Sequence, residues 1–291
     1  MLKSNVFDCA LIIEGGGMRA SYTSGFINTL LENQVYFDYV TGVSAGSSCT
    51  VNYLSRDIGR TEKSFVDLVL DKEFGGWGSF LKGEGFFRSD YIYEKTGLQD
   101  GTIPYNFNTF LENPAKFKIG ALERDTGILK YFSREDIDSI GDLMKIVRAS
   151  SSLPVFMPVT EFKGFHYYDG GLAGGITLDI AKKDGFIKFF VLLSRPRDYY
   201  KTPPKNGKLL KLLFKDHPNV YKAMVTRYEK YNQIKNELLE LEKQGQAYLV
   251  FPENMQVSSR EMNIEKLRQS YKDGYEQGRR EYPKWEKFIK G

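Results

Sequence analysis

The sequence predicts an α/β fold: three layers, α/β/α, around a mostly parallel central sheet, with a helical addition at the C-terminal end. Three observations carry this. Up to Leu54, short apolar runs alternate with helical patterns across short glycine-rich joints. Strand, helix, strand, helix in that order requires parallel pairing and right-handed crossovers. A further apolar run, Lys188 to Leu193, reads as another buried strand, and after Pro196 the pattern turns to long charged helices.

The elements follow in order. Asp8 to Ile13 is short, apolar and ended by glycines, as a buried strand should be. From Arg19 to Leu31, Tyr22, Phe26, Ile27 and Leu30 recur at helical spacing. Phe37 to Val43 reads as a second strand and Ala45 to Leu54 as a helix whose small residues allow close packing. Thr61 to Leu70, Ser89 to Thr96 and Tyr105 to Leu111 read as helices. Between them, Gly75 to Gly85 is a glycine-rich loop bearing Trp77 and Phe80: either a mobile lid or an irregular surface connection. Lys116 to Leu122 and Ile128 to Ser133 flank Arg-Asp-Thr-Gly and read as a hairpin. Ser139 to Ser150 is a helix stopped by Pro154. Phe162 to Tyr168 is a β segment delivering Asp169-Gly170-Gly171, and Thr177 to Lys183 is a helix.

Beyond Pro196, Lys208 to Lys215 (KLLKLLFK) is short, basic and amphipathic. It suits either an anionic membrane surface or ordinary core packing. Pro218 to Lys243 and Ile264 to Tyr282 read as helices, and Gln246 to Phe251 as a strand. We expect a catalytic domain over 1–195 and, over 196–291, a mainly helical extension packed on the same domain.

Composition excludes several classes. Of 291 residues, 41% are hydrophobic and 27% charged, and the chain is rich in aromatics at 14%. Those are the proportions of a packed globular protein. No apolar run approaches the ~18 residues a membrane span needs. The N-terminus lacks a signal-peptide pattern, so a cytoplasmic location is expected, with peripheral contact at the inner face of the membrane. Cys9 and Cys49 lie in apolar sequence and read as buried free thiols. Two histidines and two cysteines offer no metal spacing, so neither metal nor cofactor is expected. The net charge of +4 hides an asymmetry: from Lys182 onward there are 24 Lys and Arg against 14 Asp and Glu. That basic third suits anionic lipid or a solvated helical surface; no nucleic-acid partner is expected.

Two motifs carry chemistry. Gly42-Val43-Ser44-Ala45-Gly46 matches G-x-S-x-G and falls between a strand and a helix. In that context a serine sits exposed on a strained turn, with Gly42 and Gly46 relieving crowding and helix N–H groups behind it. The alternative is a tight turn with a helix-capping serine. Gly15, Gly16, Gly17 and Arg19 follow the first strand. Their bare N–H groups can approach an oxyanion, and Arg19 can tether the loop or contact a phosphate. A competing reading exists: Gly15-x-Gly17-x-x-Ala20 also fits a dinucleotide fingerprint, with Asp38 as its ribose acid. A serine nucleophile needs a base. His217 and His166 read as surface or packing residues, whereas Asp169, ending a β segment before two glycines, can reach a serine directly.

Together, the glycine-triplet-Arg loop, G-x-S-x-G and the later Asp-Gly-Gly resemble the patatin-like phospholipase family over about Ala10 to Ile176. The block Arg148-Ala-Ser-Ser-Ser-Leu-Pro154 looks like the segment that family places before its Asp-Gly-Gly. The resemblance implies a patatin-like fold and a lipid acyl hydrolase, whether phospholipase A, lysophospholipase or esterase. It implies Ser44 as nucleophile, Asp169 as base and no catalytic histidine. It also implies an oxyanion loop at Gly15, Gly16, Gly17 and Arg19, and a phospholipid or other acyl ester as substrate. Glu14, where plant members carry Asp, and Ala20, where glycine is usual, depart from the pattern and touch the loop's fine geometry.

Overall fold

A computed structural model describes residues 2–291. Eight strands form one sheet: β1 (Ala10–Ile13), β2 (Tyr39–Val43), β3 (Lys116–Glu123), β4 (Leu129–Phe132), β5 (Thr160–Phe162), β6 (Phe165–Asp169), β7 (Phe189–Leu192) and β8 (Ala247–Val250). Their order is β5-β6-β3-β2-β1-β7-β8, with β4 also on β3. The run from β3 through β2, β1 and β7 to β8 is parallel, and β4, β5 and β6 pair antiparallel. Both faces of the parallel part are covered. Leu11 and Ile13 enter one apolar cluster with Phe26 and Trp285, while Ala10 and Ile12 enter another with Tyr231 and Leu238. That period of two, apolar on both sides, is what a central strand between helical layers requires.

The register of β3 brings the site together. β2 and β4 both pair with Ile119 and Gly120, so they lie on opposite edges of β3. β4 and β6 both pair with Ala121 and Leu122, so they too lie on opposite edges. β2 and β6 therefore share one edge. β2 leaves it at Val43 opposite Gly120, and β6, running the other way, ends at Asp169 opposite Ala121. The residue after β2 and the last residue of β6 are thus forced into one place.

The Ala45–Leu54 and Pro218–Lys243 helices have the bounds expected from sequence. Several elements differ. The β segment before Asp169 is a hairpin, β5–β6, turning at Lys163 and Gly164, both with positive φ. Gly75 to Gly85 is not structureless: Trp77–Leu81 is a short helix, with Trp77 and Leu81 exposed. The last helix runs Ile264–Lys290, past Tyr282 and through Pro283. Trp285 explains its length: the side chain is fully buried, edge-on to Phe26 and Phe190. This helix crosses the Ala20–Glu32 helix at glycines, since a Cβ on Gly274 would lie 2.2 Å from the Tyr22 carbonyl oxygen. Cys9 and Cys49 are buried free thiols, and burial pushes the Cys9 thiol up to about 12.

Candidate active site

Ser44 sits between β2 and the Ala45–Leu54 helix with φ +56° and ψ −133°, a conformation costly for any residue but glycine. The two motif glycines make it possible. A Cβ on Gly42 would lie 2.5 Å from the Gly46 carbonyl oxygen, and one on Gly46 would lie 2.3 Å from that of Ile13. The Ser44 hydroxyl donates to Asp169 Oδ2 at 2.7 Å. Asp169 Oδ1 accepts the Gly171 N–H at 2.6 Å, so the carboxylate is held from both sides. It is 4% exposed. Burial raises its pKa above the ordinary value of 3.8, against the opposing influence of Arg227, the Ser44 and Gly171 hydrogen bonds and Lys201.

The serine run that ends the Ile140–Ser151 helix clamps both residues, a role that carries no local signal in the sequence. The Ser44 N–H donates to Ser150 Oγ at 2.9 Å and reaches the Ser150 carbonyl at 3.1 Å. Ser150 Oγ in turn donates to the Gly120 carbonyl at 2.7 Å. Two residues on, the Ser152 carbonyl accepts the Asp169 N–H at 2.9 Å.

The glycine loop closes over Ser44. A Cβ on Gly15 would come within 2.9 Å of Ser44 Cβ, and Gly17 has φ +57° with the Ser259 carbonyl oxygen 2.4 Å from where its Cβ would be. Glu14 is buried, and its carboxylate accepts the Ser194 N–H at 2.6 Å, tying the loop to the end of β7. The loop's N–H groups are not equivalent. That of Gly15 donates to the Gly175 carbonyl and that of Met18 to Ser259. Those of Gly16 and Gly17 have no protein acceptor among the described residues and remain for a ligand. Arg19 is 8% exposed, and burial, then Arg195, lowers its guanidinium to about 10.

Neither histidine takes part. His217 lies 3.8 Å from Asp125, and His166 is in the β5–β6 pairing opposite Glu161; neither lines the cavity that holds Ser44 and Asp169. The dinucleotide alternative loses its acid. Asp38 stands at the N-terminal end of β2, whereas Gly15–Gly17 follow the C-terminal end of β1, so the two are at opposite ends of a parallel pair.

Ser44 lies where two spaces meet. One is an open cavity of about 400 Å³, also lined by Asp169, Arg195, Lys201 and Arg227. The other is an apolar crevice of about 60 Å³ lined by Met18, Phe65, Phe74, Phe87 and Ile92. The chain after Pro196 supplies Lys201, Leu210, Met224, Arg227 and Arg260 to the larger cavity.

Comparison with known proteins gives the family and the fold. The family model for patatin-like phospholipase matches residues 11–182, and that of a domain of unknown function (DUF6363) matches 217–290. The uncharacterized protein YjjU of Escherichia coli K12 is 26% identical over 199 residues, which is 67% of this chain and 54% of YjjU. The chain thus spans about half the length of that relative. The crystal structure of VipD from Legionella pneumophila superposes with a TM-score of 0.50 at 13% identity, covering 94% of this chain and 66% of VipD, a likeness of fold.

Proposed function

This chain belongs to the patatin-like phospholipase family, and we propose that it is a lipid acyl hydrolase cleaving carboxylic esters through an acyl-Ser44 intermediate. The observation that carries the reading is the direct 2.7 Å hydrogen bond from the Ser44 hydroxyl to a buried carboxylate, with both histidines elsewhere. Ser44 Oγ attacks the ester carbonyl while Asp169 takes its proton. The oxyanion that forms is held by the free N–H groups of Gly16 and Gly17; losing one such donor typically costs ~3–4 kcal/mol. Collapse breaks the ester C–O bond, and Asp169 returns the proton to the departing alcohol. Water then attacks the acyl-serine, gives a proton to Asp169 and releases the fatty acid, and Ser44 recovers its hydrogen. The apolar crevice beside Ser44 suits the acyl chain.

A fluorophosphonate probe should label the wild type and spare Ser44→Ala; labelling that survives the substitution would refute the assignment. Asp169→Asn should abolish ester hydrolysis while His166→Ala and His217→Ala retain it. A folded His166→Ala protein without activity would favour a triad.

The Gly207–Leu213 helix is proposed to seat the protein on anionic membrane, at the inner face. Core packing would bury its leucines, yet Leu209, Leu212 and Leu213 are 53%, 68% and 55% exposed. They stand among Lys208, Lys211 and Lys215, while Leu210 of the same helix lines the Ser44 cavity. Apolar residues with flanking cations suit an interfacial helix. Salt-sensitive binding to phosphatidylglycerol vesicles should be lost when the three leucines become glutamine. No binding by the wild type would remove the idea.

A further inference from the structure

The cavity in front of Ser44 holds more positive charge than the chemistry above uses. Its walls carry five cationic side chains, Arg19, Arg195, Lys201, Arg227 and Arg260, and one carboxylate, Asp169. None of the five forms an ion pair within 4 Å among the described residues, although the rest of the chain has many. The buried Nε atoms of Arg19, Arg195 and Arg227 lack any hydrogen-bond partner. Instead, Arg195 lies over the Tyr199 ring at 4.2 Å and Lys201 over the Tyr231 ring at 3.4 Å. Burial, and then Arg227, holds the Lys201 ammonium well below the usual lysine range. Arg19 is buried, Arg195, Lys201 and Arg227 are half-buried, and Arg260 is exposed. Partly buried charge without a partner is destabilising, and an anionic ligand in this cavity would offset that cost.

The cluster is also built to stay in place. Asn232 fixes the backbone of Lys201 on both sides, accepting its N–H at 2.9 Å and donating to its carbonyl at 3.0 Å. Lys235, itself 1% exposed, donates to the carbonyls of Arg197 and Tyr199 in the same loop. Glu14, the other buried acid, accepts the Ser194 N–H and offsets part of the cost of burying Arg19 and Lys201, without forming an ion pair within 4 Å with either. Gly171 and Gly175 leave room for the cations beside the reacting carboxylate. The site a Cβ would fill at Gly171 is 2.9 Å from Asp169 Oδ1 and 3.1 Å from an Arg227 guanidinium nitrogen, and that at Gly175 is 3.6 Å from Lys201 Nζ.

We propose that Arg195, Lys201 and Arg227 form a head-group site that selects lipids whose phosphate carries no compensating ammonium, such as phosphatidic acid or phosphatidylglycerol, over zwitterionic and neutral esters. Guanidinium forks match phosphate oxygens bidentately. A choline or ethanolamine group would bring another cation into a basin already short of anions. The acyl chain in the apolar crevice and the phosphate in the cationic basin would leave the ester between them, at Ser44. The inference rests on the acyl hydrolase reading for its substrate but not for its charge selectivity.

The test separates the two. Phosphatidic acid, phosphatidylglycerol, phosphatidylcholine and diacylglycerol of equal chain length are presented in neutral detergent micelles, and kcat/KM is compared. The expected preference for the anionic lipids is about tenfold or more, the worth of one charge-assisted hydrogen bond. In Arg195→Gln/Lys201→Met that ratio should fall toward one, whereas Arg195→Lys/Lys201→Arg should keep it. Ester hydrolysis without preference, or a preference that survives the neutral pair, overturns the head-group site and leaves the hydrolase reading intact. Binding of short-chain phosphatidic acid and diacylglycerol to Ser44→Ala is measured by calorimetry in parallel. Tighter binding of the phosphate lipid supports the site even if no ester is turned over; equal binding refutes it.

Discussion

Ser150→Ala tests whether the strained serine turn is held from outside. Ser150 is fully buried, and its hydroxyl makes two hydrogen bonds, accepting the Ser44 N–H at 2.9 Å and donating to the Gly120 carbonyl at 2.7 Å. At about 1 kcal/mol net for each, alanine should cost about 1–2 kcal/mol. The lower end applies if the Ser150 carbonyl, already 3.1 Å from the Ser44 N–H, keeps that donor satisfied. For a chain of this size the corresponding loss in Tm is roughly 2–8 °C. The larger effect should be kinetic. Ser44 occupies its φ of +56° only because its surroundings impose it, and a displacement of about 1 Å can cost about 100-fold in rate. The assay is the second-order rate of fluorophosphonate labelling, which reads the nucleophile without choosing a lipid, alongside thermal unfolding. Ser24→Ala is the control: Ser24 is equally buried, but its hydroxyl bonds only to the Ala20 carbonyl within its own helix. Labelling should slow at least tenfold in Ser150→Ala and hardly change in Ser24→Ala. Equal labelling rates in the two proteins would refute the clamp.

Three further outcomes are expected. Protonated Asp169 cannot accept the serine proton, so kcat/KM should fall with decreasing pH, with a midpoint above the usual carboxylate value of ~3.9 because burial raises this group. The linked stability term has the opposite sense: it is present below the unfolded-state pKa and lost as pH rises through the folded one. A pH titration of unfolding free energy should therefore be flatter in Asp169→Asn. Trp285→Ala should destabilise by about 3–5 kcal/mol in denaturant unfolding, because it empties a fully buried site between Phe26 and Phe190; a loss below about 1 kcal/mol would show that the last helix packs independently. Gly17→Ala should lower fluorophosphonate labelling sharply, since the added methyl meets the Ser259 carbonyl oxygen at 2.4 Å and an L side chain disfavours the φ of +57°; wild-type labelling would show that the reactivity of Ser44 does not depend on this tight glycine turn.

Much of the fold could be read because the relevant signals are local. Val43 to Ala45 carries a strand end, a glycine-flanked serine and a helix start in consecutive residues, and the Ala45–Leu54 helix has the expected bounds. The pairing of Ser44 with Asp169 is legible chiefly through the patatin-like resemblance; residue types alone, with two histidines that read as surface or packing residues, make Asp169 a candidate base. Other features depend on contacts between distant parts of the chain. A single β segment before Asp169 became a hairpin because Lys163 and Gly164 both take positive φ, and lysine gives no sign of that. The last helix continues through Pro283 because Trp285 is anchored in a core built by Phe26 and Phe190. The Leu209, Leu212 and Leu213 side chains show an apolar stripe in sequence; only packing reveals that nothing covers it.

The cations illustrate the point most fully. Arg195, Lys201 and Arg227 belong to no motif, and their common place comes from β7 ending beside β1 while the Pro218–Lys243 helix packs behind it. Their position has a second consequence for Asp169. Burial raises the pKa of that carboxyl and disfavours the ionised form that Ser44 needs; Arg227 and Lys201 act against burial and favour the ionised form. A base is most effective when it is ionised at the working pH yet not stabilised so far that it refuses a proton. Desolvation and the cationic wall pull this group in opposite directions, with burial the larger influence. An anion bound to the wall would offset part of the cationic pull and make Asp169 more basic. A phosphate in that basin would therefore favour proton transfer from Ser44 as well as hold the lipid, and the acid limb of kcat/KM should shift upward when an anionic lipid replaces a neutral ester.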